Sequence, residues 1–133
     1  MTTSFAITRV NTILYCRHWR ECVTFYEGMG LARNFSSDWL IEFRLNESAC
    51  LSVADEARAS IKSGFGLSIT ITLQVDDVES IWHHLCALQY TPEAIAEHAW
   101  NARRFFLFDP EGNRIEFWSP GSGSPGSGSP GLN

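Results

Sequence analysis

Glu116 is the side chain in this sequence best placed to do chemistry. It stands in RIEFW, the second arm of RRFFLFDPEGNRIEFW (residues 103–118), with Arg114 and Trp118 two positions to either side. A carboxylate in such a setting accepts a proton, attracts a cation or holds a divalent metal. The bland alternative is an ion pair with Arg104 or Arg114, because a part-buried carboxylate needs a cation or donors. His98 and Tyr15 are the other acid–base candidates. His98-Ala99-Trp100 falls in a loop, where the indole serves as a rigid lid or as a packing anchor. Glu42 and Arg44, two apart on one strand face, suit a weak surface ion pair. The sequence holds no Gly-rich phosphate loop, no nucleophile elbow and no Ser/His/Asp arrangement.

Such residues act only where elements hold them, and the hydrophobic period locates those elements. The runs flanking DPEGN form a hairpin, since Asp109-Pro110 starts a turn and Gly112-Asn113 tolerates positive φ. Alternation sends Ile115 and Phe117 to one face, and Arg114, Glu116 and Trp118 to the other. Earlier in the chain, Val10–Cys16 reads as a strand. Trp19, Cys22, Val23 and Tyr26 recur at helical spacing, so a helix covers about 18–27 and ends at Gly28 and Gly30. Strands follow at 31–35, 39–45 and 50–54.

After the polar connection 55–66 the pattern restarts. Ser68–Val75 is the cleanest alternation in the chain. Asp76, with Glu79 three residues on, reads as a capping box for a helix whose stripe is Val78, Ile81, Trp82, Leu85 and Leu88. A short strand is expected within 90–95, and the hairpin closes the series. Shifts of 59 residues for the first strands and 64 for the terminal hairpins superpose the two halves. The fold class is therefore α+β, two tandem βαβββ modules at about 6–54 and 67–118, joined by the linker 55–66. Residues 119–133, SPGSGSPGSGSPGLN, form a Gly/Ser/Pro tail with nothing to bury, expected to be disordered.

The 133 residues suffice for one domain of about residues 1–118 with a proper core. A net charge of −5 weighs against a general nucleic-acid binder and favours neutral or cationic ligands. The first residues lack a basic segment followed by a long apolar one, and no run has the length of a membrane span, so no membrane partner is expected and the expected location is the cytoplasm. Cys16, Cys22, Cys50 and Cys86 have no C-x-x-C spacing and read as reduced, mostly buried thiols.

The duplicated pattern, with FYEGMGL after the first helix, VDDV opening the second and FLFDPEGNRIEFW at the end, resembles the glyoxalase/bleomycin-resistance/extradiol-dioxygenase (vicinal oxygen chelate) superfamily from about Ala6 to Pro120. The resemblance implies a cup-shaped mixed sheet with helices on its convex side and a ligand cleft between modules. Alternation places Asn11, Tyr15, Glu42, Arg44, Ser52, Thr70, Gln74, Arg104, Phe106, Phe108, Glu116 and Trp118 on the cleft-facing side, with Trp100 at its mouth. Metal-dependent members hold a divalent ion at positions that carry over to Asn11, Ser52, Thr70 and Glu116. Of these only Glu116 is a strong ligand, so no metal and no cofactor are expected. The resulting expectation is a homodimer that binds a small planar or cationic organic molecule, as the drug-sequestering branch does. The alternative is a lyase, isomerase or thiol transferase using Glu116 with His98 or Tyr15, or a displaced metal; whether the chain is an enzyme stays open at this point.

Overall fold

In a computed structural model the protein is described over residues 5–97 and 101–121. His98, Trp100 and the tail beyond Gly121 lie outside the described residues. The chain divides into two compact units, Met1–Phe65 and Gly66–Asn133. Each is a βαβββ module with a mixed four-stranded sheet and one helix, as the internal repeat requires.

In the first unit, β1 (Val10–Cys16) leads into α1 (Trp19–Gly28), and β2 (Arg33–Ser36), β3 (Leu40–Asn46) and β4 (Ala49–Asp55) follow. The sheet order is β1-β4-β3-β2. β1 runs parallel to β4 while the other pairings are antiparallel. A parallel neighbour needs a crossover, which α1 supplies. The helix buries Cys22 and Tyr26, and the Tyr26 ring lies 6.2 Å from that of Phe43. Trp19 fixes the start of the helix to the sheet, its indole N–H donating to the carbonyl of Val53 at 2.9 Å. Residues of β4 from Cys50 to Ala54 are all buried, so this central strand is covered on both faces.

The second unit repeats the plan with β5 (Thr70–Gln74), α2 (Val78–Ala87), β6 (Ala96–Glu97), β7 (Arg103–Phe108) and β8 (Arg114–Ser119), in the order β5-β8-β7-β6. Phe105 and Phe117 stack across β7 and β8 at 5.2 Å, at the centre of a core that includes Val78, Leu85, Leu107 and Ile115. Asp109 organises the hairpin turn: one oxygen accepts from the amides of Glu111 and Asn113, and the other from the Asn113 side chain. Among the described residues no helix is long and apolar enough to cross a membrane. None of the four cysteines is in a disulfide; three are buried and Cys86 is half-buried.

Three local expectations are corrected. The cap of α2 is Asp77 rather than Asp76, because it is the Asp77 carboxylate that reaches the amides of Glu79 and Ser80. The short strand lies at Ala96–Glu97, beyond 90–95; around Pro92, which has no N–H, the chain is instead tied by the Glu93 amide to the Phe106 carbonyl and by the Trp82 indole to the Glu93 carbonyl. Ser68 is excluded from β5 by a left-handed backbone, φ 62°.

Candidate functional site

Register turns one face of each sheet into a grid. In the second unit the cross-strand rows are Thr70–Arg114–Phe108, Thr72–Glu116–Phe106 and Gln74–Trp118–Arg104, reading from β5 through β8 to β7. In the first unit the matching rows are Asn11–Cys50–Arg44, Ile13–Ser52–Glu42 and Tyr15–Ala54–Leu40. These rows reproduce the shifts of 59 and 64 residues read from the sequence. Every cleft-facing candidate that lies among the described residues has a place in one grid or the other.

The first grid is saturated. Glu42, nearly buried on β3, accepts from Arg9 Nη1 at 2.8 Å and from the Asn34 side chain. The Asn11 amide and the Cys50 thiol are also turned toward it, each at 3.5 Å. Asn34, then Arg9, hold the Glu42 carboxyl below the usual carboxylate range, and burial opposes them. The same contact raises the Arg9 guanidinium. Ser52, fully buried, donates to Asn11 Oδ1 at 2.8 Å. Glu42 therefore pairs with Arg9 and not with Arg44, whose Nε donates to the carbonyl of Asn46. Tyr15 is half-buried beside Ala54.

The second grid is less complete. Glu116 is fully buried. Its Oε1 accepts from the Thr72 hydroxyl at 3.0 Å, while Oε2 faces Arg104 Nε at 3.7 Å, an ion pair too long for a hydrogen bond. Both Oε2 and Arg104 Nε are buried without a hydrogen-bond partner. Arg104 and Arg114 each set a guanidinium on the Phe106 ring, at 4.4 and 4.3 Å from its centroid. Such cation–π contacts hold both arginines in fixed directions. Arg114 Nε also donates to Thr70 Oγ1 at 2.9 Å. Trp118 is buried and packs with Ala102, while Gln74 is exposed. Beside the first row, an open cavity of about 580 Å³ is bordered by Ser68, Thr70, Phe108 and Arg114 and by the backbone of Gly66 and Gly112.

Sequence reasoning passed over several of these residues. Arg9 precedes β1 and Asn34 sits at the irregular register of β2, so no strand period marks either as a partner of Glu42. The signal available was chemical: a carboxylate on a packed strand requires donors. Thr72, rather than Thr70, meets Glu116, because it is the residue in register with it.

Comparison with known proteins bears on the fold and the family. The family described as the Glyoxalase/Bleomycin resistance protein/Dioxygenase superfamily matches residues 7–117. No curated protein matches the chain. Among solved structures, a glyoxalase/bleomycin resistance protein/dioxygenase from Nocardioides is 17% identical, with a TM-score of 0.73 over 97% of this chain and 93% of the other. Lactoylglutathione lyase from Agrobacterium tumefaciens is 19% identical, with a TM-score of 0.69 over 90% and 96%. A bleomycin-binding protein complexed with bleomycin is 17% identical, with a TM-score of 0.63 over 88% and 98%. At these identities the structures share the fold, and the family match carries the membership. The chain belongs to the glyoxalase/bleomycin-resistance/dioxygenase superfamily.

Proposed function

We propose that the protein binds a small planar organic molecule at the polar face of its second unit, without a family-type metal ion and without a reaction of its own. The observation that carries this reading is the Glu116 row: a buried carboxylate with one oxygen that accepts no hydrogen bond and meets only a long ion pair, beside an aromatic ring held between contacts with two arginines. Exposed Phe108 adds an aromatic surface on the same face. A few convergent polar groups next to aromatic surface are what a small-molecule site needs.

The donor set does not suit a divalent transition metal. Asn11 and Ser52 are hydrogen-bonded to each other. Thr70 Oγ1 accepts from the Arg114 guanidinium, a cation in the place where a second cation would have to sit. Neutral amide and hydroxyl oxygens are weak ligands for such ions, which leaves Glu116 alone. The fold is shared by a lyase and by a bleomycin-binding protein, so the choice between chemistry and binding rests on these residues. Two measurements test the reading. Elemental analysis of the purified protein is expected to find transition metal far below one ion per chain; a near-stoichiometric metal overturns it. Tryptophan fluorescence is expected to quench on addition of some members of a library of planar organic compounds, and silence across the library removes its support.

A second reading has one observation in its favour. A Glu116 oxygen that accepts no hydrogen bond is also what a general base requires, and in a catalyst Glu116→Gln abolishes turnover while leaving binding intact. We further read the chain as a homodimer. Ile7, Val10 and Phe35 expose apolar side chains that a second copy would cover, and a monomer by light scattering contradicts this.

A further inference from the structure

We infer that Cys16 and Cys22 form a two-thiolate site for a soft divalent ion, one of the mercuric type that is satisfied by two sulfur ligands. The inference does not rest on the small-molecule reading. It concerns the helix-covered side of the first unit, and an ion offered to the purified chain, so the metal content expected above is unchanged. Cys16 ends β1, and alternation turns it, with Leu14, away from the grid face. Cys22 belongs to the stripe of α1 that carries Trp19, Val23 and Tyr26. Two cysteines that stand six residues apart, at a spacing that reads as no metal motif, are thereby brought together. Their sulfur atoms lie within 4.8 Å of each other, and both residues are 0% exposed.

The chemistry of the pair selects the ion. Thiolates are soft ligands and favour soft cations. Two metal–sulfur bonds of about 2.3 Å reach across about 4.6 Å, so a single ion can bridge sulfurs this close. Zinc asks for four ligands in a tetrahedron, which two thiols do not supply. A mercuric ion is content with two. Its charge is also cancelled by the two thiolates, and a buried ion is tolerated where the charges around it balance. One contact that binding displaces is weak: the Cys16 thiol donates to the Leu14 carbonyl at 3.6 Å, and S–H is a poor donor. The two ligands come from different elements, but the start of α1 is already tied to the sheet by the Trp19 indole on the Val53 carbonyl. The pair is therefore held ready, and the second sulfur binds at high effective concentration.

Mercury supplied as its bis(2-mercaptoethanol) complex, with a further excess of about tenfold mercaptoethanol, tests this by native mass spectrometry of the full chain. Each protein thiol replaces one mercaptoethanol, its proton passing to the sulfur that leaves. Two thiols on one scaffold should win that exchange, whereas a single thiol is outcompeted or keeps one mercaptoethanol on the ion. One ion per chain, free of mercaptoethanol, is expected. Cys16→Ser and Cys22→Ser should each lower the retained ion at least about tenfold, and Cys86→Ser, which alters a half-buried thiol on α2, should not. Retention by either of the first two variants overturns the inference. If they do not fold, as judged by circular dichroism, the Cys50→Ser/Cys86→Ser chain decides, because it keeps this pair alone among the four cysteines. It should still retain one ion free of mercaptoethanol, and an ion that is lost or that carries mercaptoethanol overturns the site. Neither result bears on the small-molecule reading, which involves the other unit.

Discussion

The two units present the same nine-position face and use their single carboxylate in opposite ways. In the first, the acid stands on β3 as Glu42 and collects Arg9, Asn34, Asn11 and Cys50 around it. In the second, the position in register with Glu42 is Phe106, and the acid has moved one strand over to Glu116, where Ser52 stands in the first unit. There it receives one hydroxyl and a distant guanidinium. Satisfied polar groups hold a fold together, whereas unsatisfied ones are retained at a disadvantage to stability and mark places of function. On the reading proposed above, the difference makes the first grid architecture and the second the site.

Replacing each acid by its amide gives the sharpest break of that contrast. Glu42→Gln keeps the shape but removes the charge that several donors converge on, and charge-assisted hydrogen bonds contribute about 1.5–3 kcal/mol. Because Arg9 is 45% exposed, the loss should fall toward the lower part of that range. Glu116→Gln keeps an amide oxygen to accept from the Thr72 hydroxyl and loses only a long ion pair, a loss offset by no longer burying a charge, so stability should change by less than about 1 kcal/mol in urea denaturation. Ligand binding should respond in the reverse order, unaffected by Glu42→Gln and weakened by Glu116→Gln. Equal destabilisation by the two variants would dissolve the distinction between the grids.

Acid provides a second comparison with a smaller effect. The Glu42 carboxyl titrates lower in the folded chain than when unfolded, owing first to Asn34 and then to Arg9. A depressed pKa of this kind contributes stability above the unfolded value, about 4.3, and that contribution disappears as pH falls through the folded value. The unfolding midpoint of the wild type should therefore drop more steeply than that of Glu42→Gln between about pH 5 and pH 3. Parallel profiles for the two proteins would mean that Glu42 is not the acid-sensitive group of its unit.

Much of this was legible in the sequence because it depends on period and turn chemistry. Two-residue alternation and the DPEGN turn fix which residues share a row, so the register shifts emerge before any coordinates do. The family resemblance located Glu116 among four equivalent positions in the same way. What alternation does not convey is who meets whom between rows. Arg9 reaches Glu42 from outside any strand, and the pairing guessed for Glu42 with Arg44 failed because Arg44 turns to its own hairpin. Nor does alternation reveal that β4 and β8 are buried on both faces, which leaves Ser52 and Glu116 without water and makes their partners decisive. Asp76 and Asp77 illustrate a finer limit: adjacent residues of one type compete for a cap, and only backbone direction selects between them.

The smallest effect belongs to Ser52, and it tests whether the first grid's hydrogen bonds are individually weak. Its hydroxyl donates to Asn11 Oδ1 from a fully buried position, whereas Asn11 itself is exposed. Ser52→Ala removes the donor, but the acceptor it abandons turns to solvent, so no buried group is left unpaired. The expected loss is about 0.5–1 kcal/mol, below that for Glu42→Gln, with ligand affinity unchanged. A loss well above that range would mean that Asn11 and Ser52 act as one unit with Glu42. The Ser52→Ala/Glu42→Gln double variant would then fall short of the sum of the single ones, whereas independent bonds should add.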